Sequence, residues 1–324
     1  EILESCLSAL EDIKEASKEN KGARIILGLP LRKGNSLYNV AAFLNNGKIL
    51  GFVPKSYLPN YSEFYEQRWF KEGKGIEKDS IFIQNEEIPF GTDLLFYDDE
   101  LVIGGEICED LFVPDKPSTH LALKGANVIV NLSASDEVIG KHDYRKQLVL
   151  GQSGSCYLQY LYVSSGEDES STDLVFSGNR LVGDNGSLVL DEIYPKPGSV
   201  KKVILDYAKS IHNRVHQTSF AEEASCRYIP CSLSRLGGEK NIIVSALRDT
   251  LKQENYLVNP FPFIPGDKER EERAKTILSI QAHGLATRVK KTGLKNLIVG
   301  VSGGLDSTLA LLAVSYTHLT LPTK

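Results

Sequence analysis

The sequence predicts an α/β fold in which two sheets pack together and helices cover their outer faces. Three observations support this prediction. Some strands form hairpins, as at Asn45-Asn46-Gly47, where an Asn-Gly pair tolerates positive φ. Other apolar strands alternate with helical segments, which is typical of a mixed sheet with helices on its faces. Roughly ten strands for two or three helices favour two packed sheets over one.

The predicted elements follow one another from an amphipathic N-terminal helix over 1–20. Its apolar residues are spaced for one face: Ile2, Leu3, Leu7, Leu10 and Ile13. Further helices are predicted at 121–125 and 142–156. The predicted strands are, in order, 23–31, 39–44, 48–53, 94–97, 101–107, 127–132, 157–163, a hairpin over 181–190 about Asp184-Asn185-Gly186, and 200–207.

The composition changes near residue 230 and predicts a second domain. The proline-punctuated segment 259–265 ends any regular structure. An amphipathic helix over 268–291 and a short buried strand at 297–301 are expected after it. We predict a first domain at 1–230, a linker at 231–258, the start of a second domain at 259–314 and a non-native tail at 315–324. A chain without methionine that begins within a helix is expected to be a fragment truncated at both ends.

Composition and charge exclude several classes of protein. Hydrophobic residues at 41% and charged residues at 24% are close to the globular average, so a packed core is expected. A net charge of −5 without a basic stripe gives no reason to bind nucleic acid. No apolar run could span a bilayer, and the N-terminus is not a signal peptide. The five scattered cysteines include no CxxC pair, which indicates neither a metal site nor disulfides and favours the cytoplasm.

Cys108 is a candidate nucleophile because it follows an apolar strand and has acidic neighbours. The segment Leu101-Val-Ile-Gly-Gly-Glu-Ile-Cys-Glu-Asp110 carries the strand directly into the cysteine. A strand end holds a side chain rigidly at the edge of a cleft. Cysteine attacks as its thiolate, which requires a nearby base or cation. The alternative is an inert packing residue, because free cysteine is among the most buried residue types.

Lys55 opens an aromatic-rich loop at the end of a hairpin strand. The segment 51–70 contains five tyrosine and phenylalanine residues after Lys55 as well as Trp69, and such loops line small-molecule pockets. A lysine held there can offer its ammonium to an oxyanion. The alternative is an exposed surface lysine beside aromatic packing.

The two segments together resemble the nitrilase superfamily, and within it the glutaminase domains of glutamine-dependent NAD synthetases. The motifs are Pro-Lys-x-x-Leu-Pro-Asn-Tyr-x-Glu-Phe-Tyr-Glu and Gly-Glu-Ile-Cys-Glu-Asp-Leu. The resemblance covers about residues 1–314 and implies a four-layer αββα sandwich with a Glu-Lys-Cys triad. It makes Cys108 the nucleophile, Lys55 the triad lysine and Glu63 an additional active-site glutamate. The triad glutamate itself is expected upstream of residue 1.

The resemblance also implies the substrate and the residues that hold it. Cys108 would attack the side-chain amide of glutamine while Lys55 stabilises the oxyanion, and the glutaminase step would need no cofactor. A carboxylate suits the α-ammonium of glutamine, and a cation or hydroxyl suits its carboxylate. The implied glutamine-binding residues are Tyr61, Glu109, Phe112, Ser135 and Lys141. The alternatives are that Ser135 caps a turn and that Lys141 is solvated.

A second motif lies at 297–308, where an apolar segment runs into Ser302-Gly-Gly-Leu-Asp-Ser307 and a helix start. Adjacent glycines let the backbone approach an anion, and the helix N-terminus favours negative charge. The alternative is an ordinary glycine turn. The string lacks the lysine of a Walker A loop and resembles the pyrophosphate loop of ATP pyrophosphatases. That resemblance implies the start of a Rossmann-like adenine nucleotide α-hydrolase domain with ATP contacts at Ser302, Gly303, Gly304, Asp306 and Ser307.

The combination of both motifs implies a glutamine-hydrolysing synthase. It would use ATP and Mg²⁺ to amidate nicotinic acid adenine dinucleotide, and internal ammonia transfer would require a homo-oligomer. A stand-alone nitrilase-type amidase is the alternative enzyme, which the second motif argues against. An inactive fragment that only binds or scaffolds is the other alternative, which labelling of Cys108 in the presence of glutamine would test.

Overall fold

The computed structural model describes residues 1–19, 22–137, 140–166, 174, 176–196, 198–217, 220, 227–230 and 292–320, together with scattered positions between 270 and 289. The chain divides into two units, 1–239 and 240–324. Among the described residues, the first unit contains twelve strands and four α-helices, and the second contains the α-helix Leu305–Thr320 together with helical positions between 270 and 289. The predicted linker 231–258 and the boundary beside it lie outside the described residues.

The first sheet has five strands and is mostly antiparallel. Its order is β1-β2-β3-β5-β4, and only the pairing of β3 with β5 is parallel. Asn46 and Gly47 both have positive φ, so the predicted hairpin between β2 and β3 is confirmed. The strand bounds are β1 Arg24–Lys33, β2 Ser36–Asn45, β3 Lys48–Pro54, β4 Asp79–Ile83 and β5 Glu86–Phe90.

The second sheet has seven strands in the order β11-β10-β9-β8-β7-β6-β12. Its centre is parallel: Ile107 on β7 pairs with Leu132 on β8, which pairs with Val163 on β9. The loops after these three strands therefore lie at one edge of the sheet. The strand bounds are β6 Leu94–Asp98, β7 Leu101–Ile107, β8 Val128–Ser133, β9 Gln159–Ser164, β10 Arg180–Asp184, β11 Ser187–Glu192 and β12 Arg227–Pro230.

The two sheets pack face to face, as predicted. One buried cluster joins side chains of β2 and β3 to side chains of β6, β7 and β8. Within it the rings of Phe43 and Phe96 stack with centroids 3.9 Å apart. A Cβ atom on Gly105 would lie 2.9 Å from the Phe43 ring, so only glycine permits this approach on the strand that carries Cys108.

Helices cover both outer faces, which completes four layers. Helix α1 (Ile2–Ala16) buries Leu10 in an apolar cluster with β1 to β5, on the outer face of the first sheet. Helices α2 (Pro117–Leu123) and α3 (Lys141–Ser155) contribute to a cluster on the outer face of the second sheet. The predicted αββα arrangement is therefore confirmed. Helix α4 (Tyr207–Val215) follows the last hairpin.

Several predicted elements of the first unit were wrong or missing. Strands β4 and β5 were missed because Gln84 and Asn85 form their turn at positive φ without a glycine to mark it. The predicted strand at 200–207 is not formed, since 201–206 is irregular and the Asp206 side chain accepts the Lys209 N–H at the start of α4. Strand β12 was also missed. It is four residues long and pairs with β6, which lies far away in sequence.

The second unit differs from prediction on both sides of its glycine loop. Residues 297–301 do not form a strand, because no strand of the described chain pairs with them and Ile298 is 98% exposed. Helix α5 (Leu305–Thr320) begins at the loop as predicted but continues through most of the predicted tail. The described positions between 270 and 289 are helical, in agreement with the predicted long helix. In the part of the chain that is described, no helix is long and apolar enough to cross a membrane.

Candidate active site

Cys108 lies at the carboxyl end of β7, as predicted, and begins the 3₁₀ helix Cys108–Leu111. Its side chain is buried at 8% exposure. The Asn131 side-chain oxygen accepts the Cys108 N–H at 3.1 Å, which ties the nucleophile to β8. The φ of Cys108 is +48°, in the left-handed region that disfavours any residue with a Cβ.

This strain predicts an unusual stability order for substitutions at Cys108. The Cys108→Gly variant should be more stable than Cys108→Ala by about 1 kcal/mol, because glycine adopts positive φ without penalty. Cys156 provides the matched control, since it is equally buried but has a φ of −98°. There the alanine variant should be the more stable one by about 0.4–1 kcal/mol. Urea unfolding of the four variants measures both differences, and the same order at both positions would contradict the prediction.

Lys55 is a buried lysine, so the exposed-surface alternative is excluded. It is 1% exposed, and its Nζ atom donates to both carboxylate oxygens of Glu66 at 2.7 Å. Its backbone is held as well, because the Lys55 N–H donates to Asn39 and the Gly73 N–H donates to the Lys55 carbonyl, each at 2.8 Å. A buried ammonium requires such a partner.

Glu66 is a site residue that the sequence analysis missed. It lies eleven residues after Lys55, and the 3₁₀ helix Glu66–Arg68 turns it back toward the lysine. The motif extends through Glu66, but only the folded loop distinguishes it from Glu63, which lines the adjacent cavity. Charge alone could not choose between two glutamates on one loop.

A cavity of about 400 Å³ lies beside Cys108. It contains seven of the eight predicted glutaminase residues, and Lys55, paired with Glu66, is the one outside its lining. The lining residues are Pro59, Tyr61, Glu63, Phe64, Cys108, Glu109, Phe112, Ser135, Gly140, Lys141 and Tyr144.

The cavity presents both signs of charge. Glu109 accepts the Tyr61 hydroxyl, with O–O distances of 3.0 and 2.9 Å. Burial raises the pKa of Glu109, and the Tyr61 hydrogen bond and the Lys55 charge oppose that rise. Lys141 forms an ion pair with Asp136, and its Nζ atom lies 5.3 Å from the centroid of the Phe64 ring. Lys141 is therefore held in place, and not a freely solvated side chain.

Arg145 supports the loop that carries Ser135, a role that no sequence pattern predicts. The side chain is fully buried and pairs with Glu137. Its Nε atom donates to Asn179 at 3.1 Å and its Nη1 atom donates to Ser135 Oγ at 3.3 Å. Within the predicted helix 142–156, Arg145 is indistinguishable from a surface arginine, because its partners come from distant strands and loops.

Buried polar groups lie behind Cys108. Glu106 accepts hydrogen bonds from the Tyr160 hydroxyl and, at 2.9 Å, from the Ser118 N–H. Burial raises the pKa of Glu106 and of Tyr160. Burial and the nearby Glu106 charge raise the pKa of Asp110 to about 7. Within the described residues, no three His, Cys, Asp or Glu side chains are grouped so that they could hold a metal ion.

The glycine loop at 302–307 is a compact turn before α5. Ser307 Oγ accepts the Ser302 N–H at 3.2 Å and donates to the Gly304 carbonyl at 3.0 Å. Gly303 has a φ of +84°, and the residues from Ser302 to Asp306 are exposed. The predicted turn and helix start are therefore confirmed. Exposed backbone at a helix N-terminus fits a phosphate group.

Comparison with known proteins points to one family. Residues 7–160 match the carbon-nitrogen hydrolase family. A glutamine-dependent NAD(+) synthetase of Mycobacterium bovis is 37% identical over 309 residues, covering 90% of this chain and 43% of the relative. That of Mycobacterium leprae is 35% identical over 327 residues, covering 97% and 46%. The crystal structure of a glutamine-dependent NAD(+) synthetase from Cytophaga hutchinsonii matches with a TM-score of 0.50 and 30% identity, covering 57% of this chain and 30% of that one.

The matches cover most of this chain but only part of each relative. The chain spans less than half the length of the curated relatives it matches. The matched residues cover the whole first sheet, strands β6 to β8 of the second sheet, and helices α2 and α3, including Lys55 and Cys108. Residues 7–160 therefore belong to the carbon-nitrogen hydrolase family, and the chain is a homologue of the glutamine-dependent NAD(+) synthetases over most of its own length.

Proposed function

We propose that the first unit hydrolyses glutamine and that the whole protein is a glutamine-hydrolysing NAD(+) synthase. One observation carries the glutaminase proposal: a single cavity gathers Cys108 with all five residues expected to bind glutamine. Glu109 suits the α-ammonium of glutamine, and Lys141 with Ser135 suits its carboxylate. The cavity size is that of a small-molecule site.

The chemistry is acyl transfer through a thioester. The Cys108 thiol loses its proton to a general base, and Sγ attacks the side-chain carbonyl carbon of glutamine. The Lys55 ammonium stabilises the oxyanion together with a backbone N–H of the nucleophile turn, the 3₁₀ turn Cys108–Leu111. The Cys108 N–H itself is already donated to Asn131. The tetrahedral intermediate expels ammonia, which takes up the proton, and water then hydrolyses the thioester to glutamate.

The synthase half of the proposal depends on the glycine loop and on the relatives. The ATP phosphates would approach the exposed backbone of Ser302, Gly303 and Gly304, with Asp306 and Ser307 beside them. ATP would adenylate the carboxylate of nicotinic acid adenine dinucleotide with release of pyrophosphate. Ammonia would then displace AMP to form the amide. Mg²⁺ would neutralise the phosphates, and we assign no residue to it. A homo-oligomer in the cytoplasm belongs to the same proposal.

Ammonia release and protection of Cys108 test the glutaminase proposal directly. Incubation with L-glutamine should yield ammonia and glutamate in equal amounts, whereas L-asparagine, one methylene shorter, should be hydrolysed roughly 10-fold or more slowly. Iodoacetamide should alkylate Cys108, as located by mass spectrometry, and saturating glutamine should slow that alkylation. Cys156 is the internal control, because it lies in a different cluster and glutamine should not protect it. The absence of both ammonia release and protection of Cys108 would refute the proposal. Faster hydrolysis of simple amides would indicate a nitrilase-type amidase.

A further inference from the structure

The two reactive residues belong to different sheets, and one side chain links the loops that carry them. Lys55 follows β3 of the first sheet, and Cys108 follows β7 of the second. Asp110, two residues after the nucleophile, is 1% exposed and lies between the two loops. It is not among the residues that line the cavity.

The hydrogen bonds of Asp110 reach both reactive loops. Its Oδ2 atom accepts the N–H of Ile107, immediately before the nucleophile, at 2.9 Å. Its Oδ1 atom accepts the N–H of Tyr57 at 2.9 Å, and Oδ2 also accepts the N–H of Ser56 at 3.4 Å. Ser56 and Tyr57 directly follow Lys55. One carboxylate therefore holds the backbone immediately before Cys108 and immediately after Lys55.

We propose that Asp110 is a positioning residue that sets the Lys55 ammonium against the Cys108 thiol, a role that rests on the glutaminase function proposed above. Three N–H donors converge on the side chain. Only a carboxylate has two terminal oxygen atoms that can both accept hydrogen bonds. An asparagine would direct its NH₂ group at one of the two loops and release it. Because Asp110 lies outside the cavity, it acts on catalysis through the relative placement of the other two residues.

The positive charge of Lys55 affects the carboxyl groups of the nucleophile turn. It opposes the rise in the pKa of Glu109 and of Asp110, the two residues that follow Cys108. Catalysis is sensitive to such placement, since a displacement of about 1 Å can cost about 100-fold in rate. A change that frees either loop is therefore expected to affect the chemical step more than substrate binding.

The Asp110→Asn variant tests this role by steady-state kinetics. We expect kcat for glutamine hydrolysis to fall by about 10- to 100-fold with KM changed by less than about 3-fold. Asp93→Asn is the matched control, because Asp93 is equally buried and also accepts a backbone N–H, that of Lys78 at 3.3 Å, outside the cavity lining. The control should keep the parent kcat. An unchanged kcat in Asp110→Asn, or an equal loss in the control, would overturn the proposal.

A double variant distinguishes a positioning role of Asp110 from a general loss of structure. Lys55→Met alone should lose about 10²- to 10³-fold in kcat, the range for one oxyanion donor. If Asp110 acts through Lys55, adding Asp110→Asn to Lys55→Met should lower kcat by less than about 3-fold more. A further loss as large as that of Asp110→Asn alone would show independent effects and reject the proposal.

An alkylation ratio tests the role even in a chain that does not hydrolyse glutamine. The rate of Cys108 alkylation by anionic iodoacetate, divided by that for neutral iodoacetamide, reports the positive charge near the thiol. Asp110→Asn should lower this ratio, as should Lys55→Met. At pH 8, where Asp110 with its pKa of about 7 is mostly ionised, removing its charge would by itself raise the ratio, so a fall identifies a displaced ammonium. An unchanged or raised ratio contradicts the inference, whereas a parent without ammonia release contradicts only the proposed function.

Discussion

Replacing Cys108 with alanine should reduce ammonia release from glutamine to the uncatalysed rate, a loss of at least about 10⁴-fold. The variant retains the cavity walls but has no group that can form the thioester. Glutamine binding should persist, because Tyr61, Ser135 and Lys141 are unchanged in the lining. Ammonia assays and calorimetric titration with glutamine measure the two expectations separately.

Cys156→Ala provides the control for this experiment. Cys156 is buried at the end of α3, and its thiol contacts the Gln152 amide at 3.4 Å, in the cluster on the outer face of the second sheet. Its removal is expected to lower stability and leave the turnover per folded molecule unchanged. Ammonia release that survives in Cys108→Ala but disappears in Cys156→Ala would mean that the nucleophile has been misassigned.

Replacing Arg145 with leucine should lower the free energy of unfolding by about 3–5 kcal/mol. The substitution leaves the largely buried Glu137 carboxylate without its cation and removes donors to Asn179 and Ser135. An uncompensated buried charge is the main cost. Chemical denaturation monitored by circular dichroism measures the loss.

Two further variants sharpen the Arg145 prediction. Arg180→Leu is the matched control, because Arg180 also pairs with a glutamate, Glu192, but in a partly exposed pair that should contribute roughly 0–1 kcal/mol. The double variant Arg145→Leu/Glu137→Gln should recover part of the loss, since the buried charge is then removed. A cost below about 1 kcal/mol for Arg145→Leu would show that the ion pair contributes little to stability.

The parts of the fold that were predictable are those encoded in short segments. The hairpin at Asn46-Gly47 and the helix start after Gly303-Gly304 depend on local φ preferences, and both are present. The segments 201–206 and 297–301 are apolar enough to be strands, yet no strand pairs with either among the described residues. Strand formation depends on a partner, which a local pattern does not contain.

The residues of the candidate site also divide into those predictable from short segments and those that depend on contacts in the folded chain. Cys108, Lys55 and the cavity lining follow from motifs that are contiguous in sequence. Glu66, Asp110 and Arg145 were missed as supporting residues, although the first two lie inside those motifs. Their roles depend on contacts that the pattern does not specify: Asp110 meets residues 56 and 57, more than fifty positions away, through a buried turn. Sequence pattern identifies the reactive groups, whereas the contacts that hold them become visible only in the folded chain.

The division of Lys55 and Cys108 between the two sheets also has a consequence for folding. Each sheet could acquire its own hairpins while the two residues remain apart, because neither sheet contains both. The contact of Gly105 with Phe43 and the bonds of Asp110 to Ser56 and Tyr57 form only when the sheets dock. Recovery of a reactive site during refolding would therefore follow the docking of the sheets and not the appearance of secondary structure.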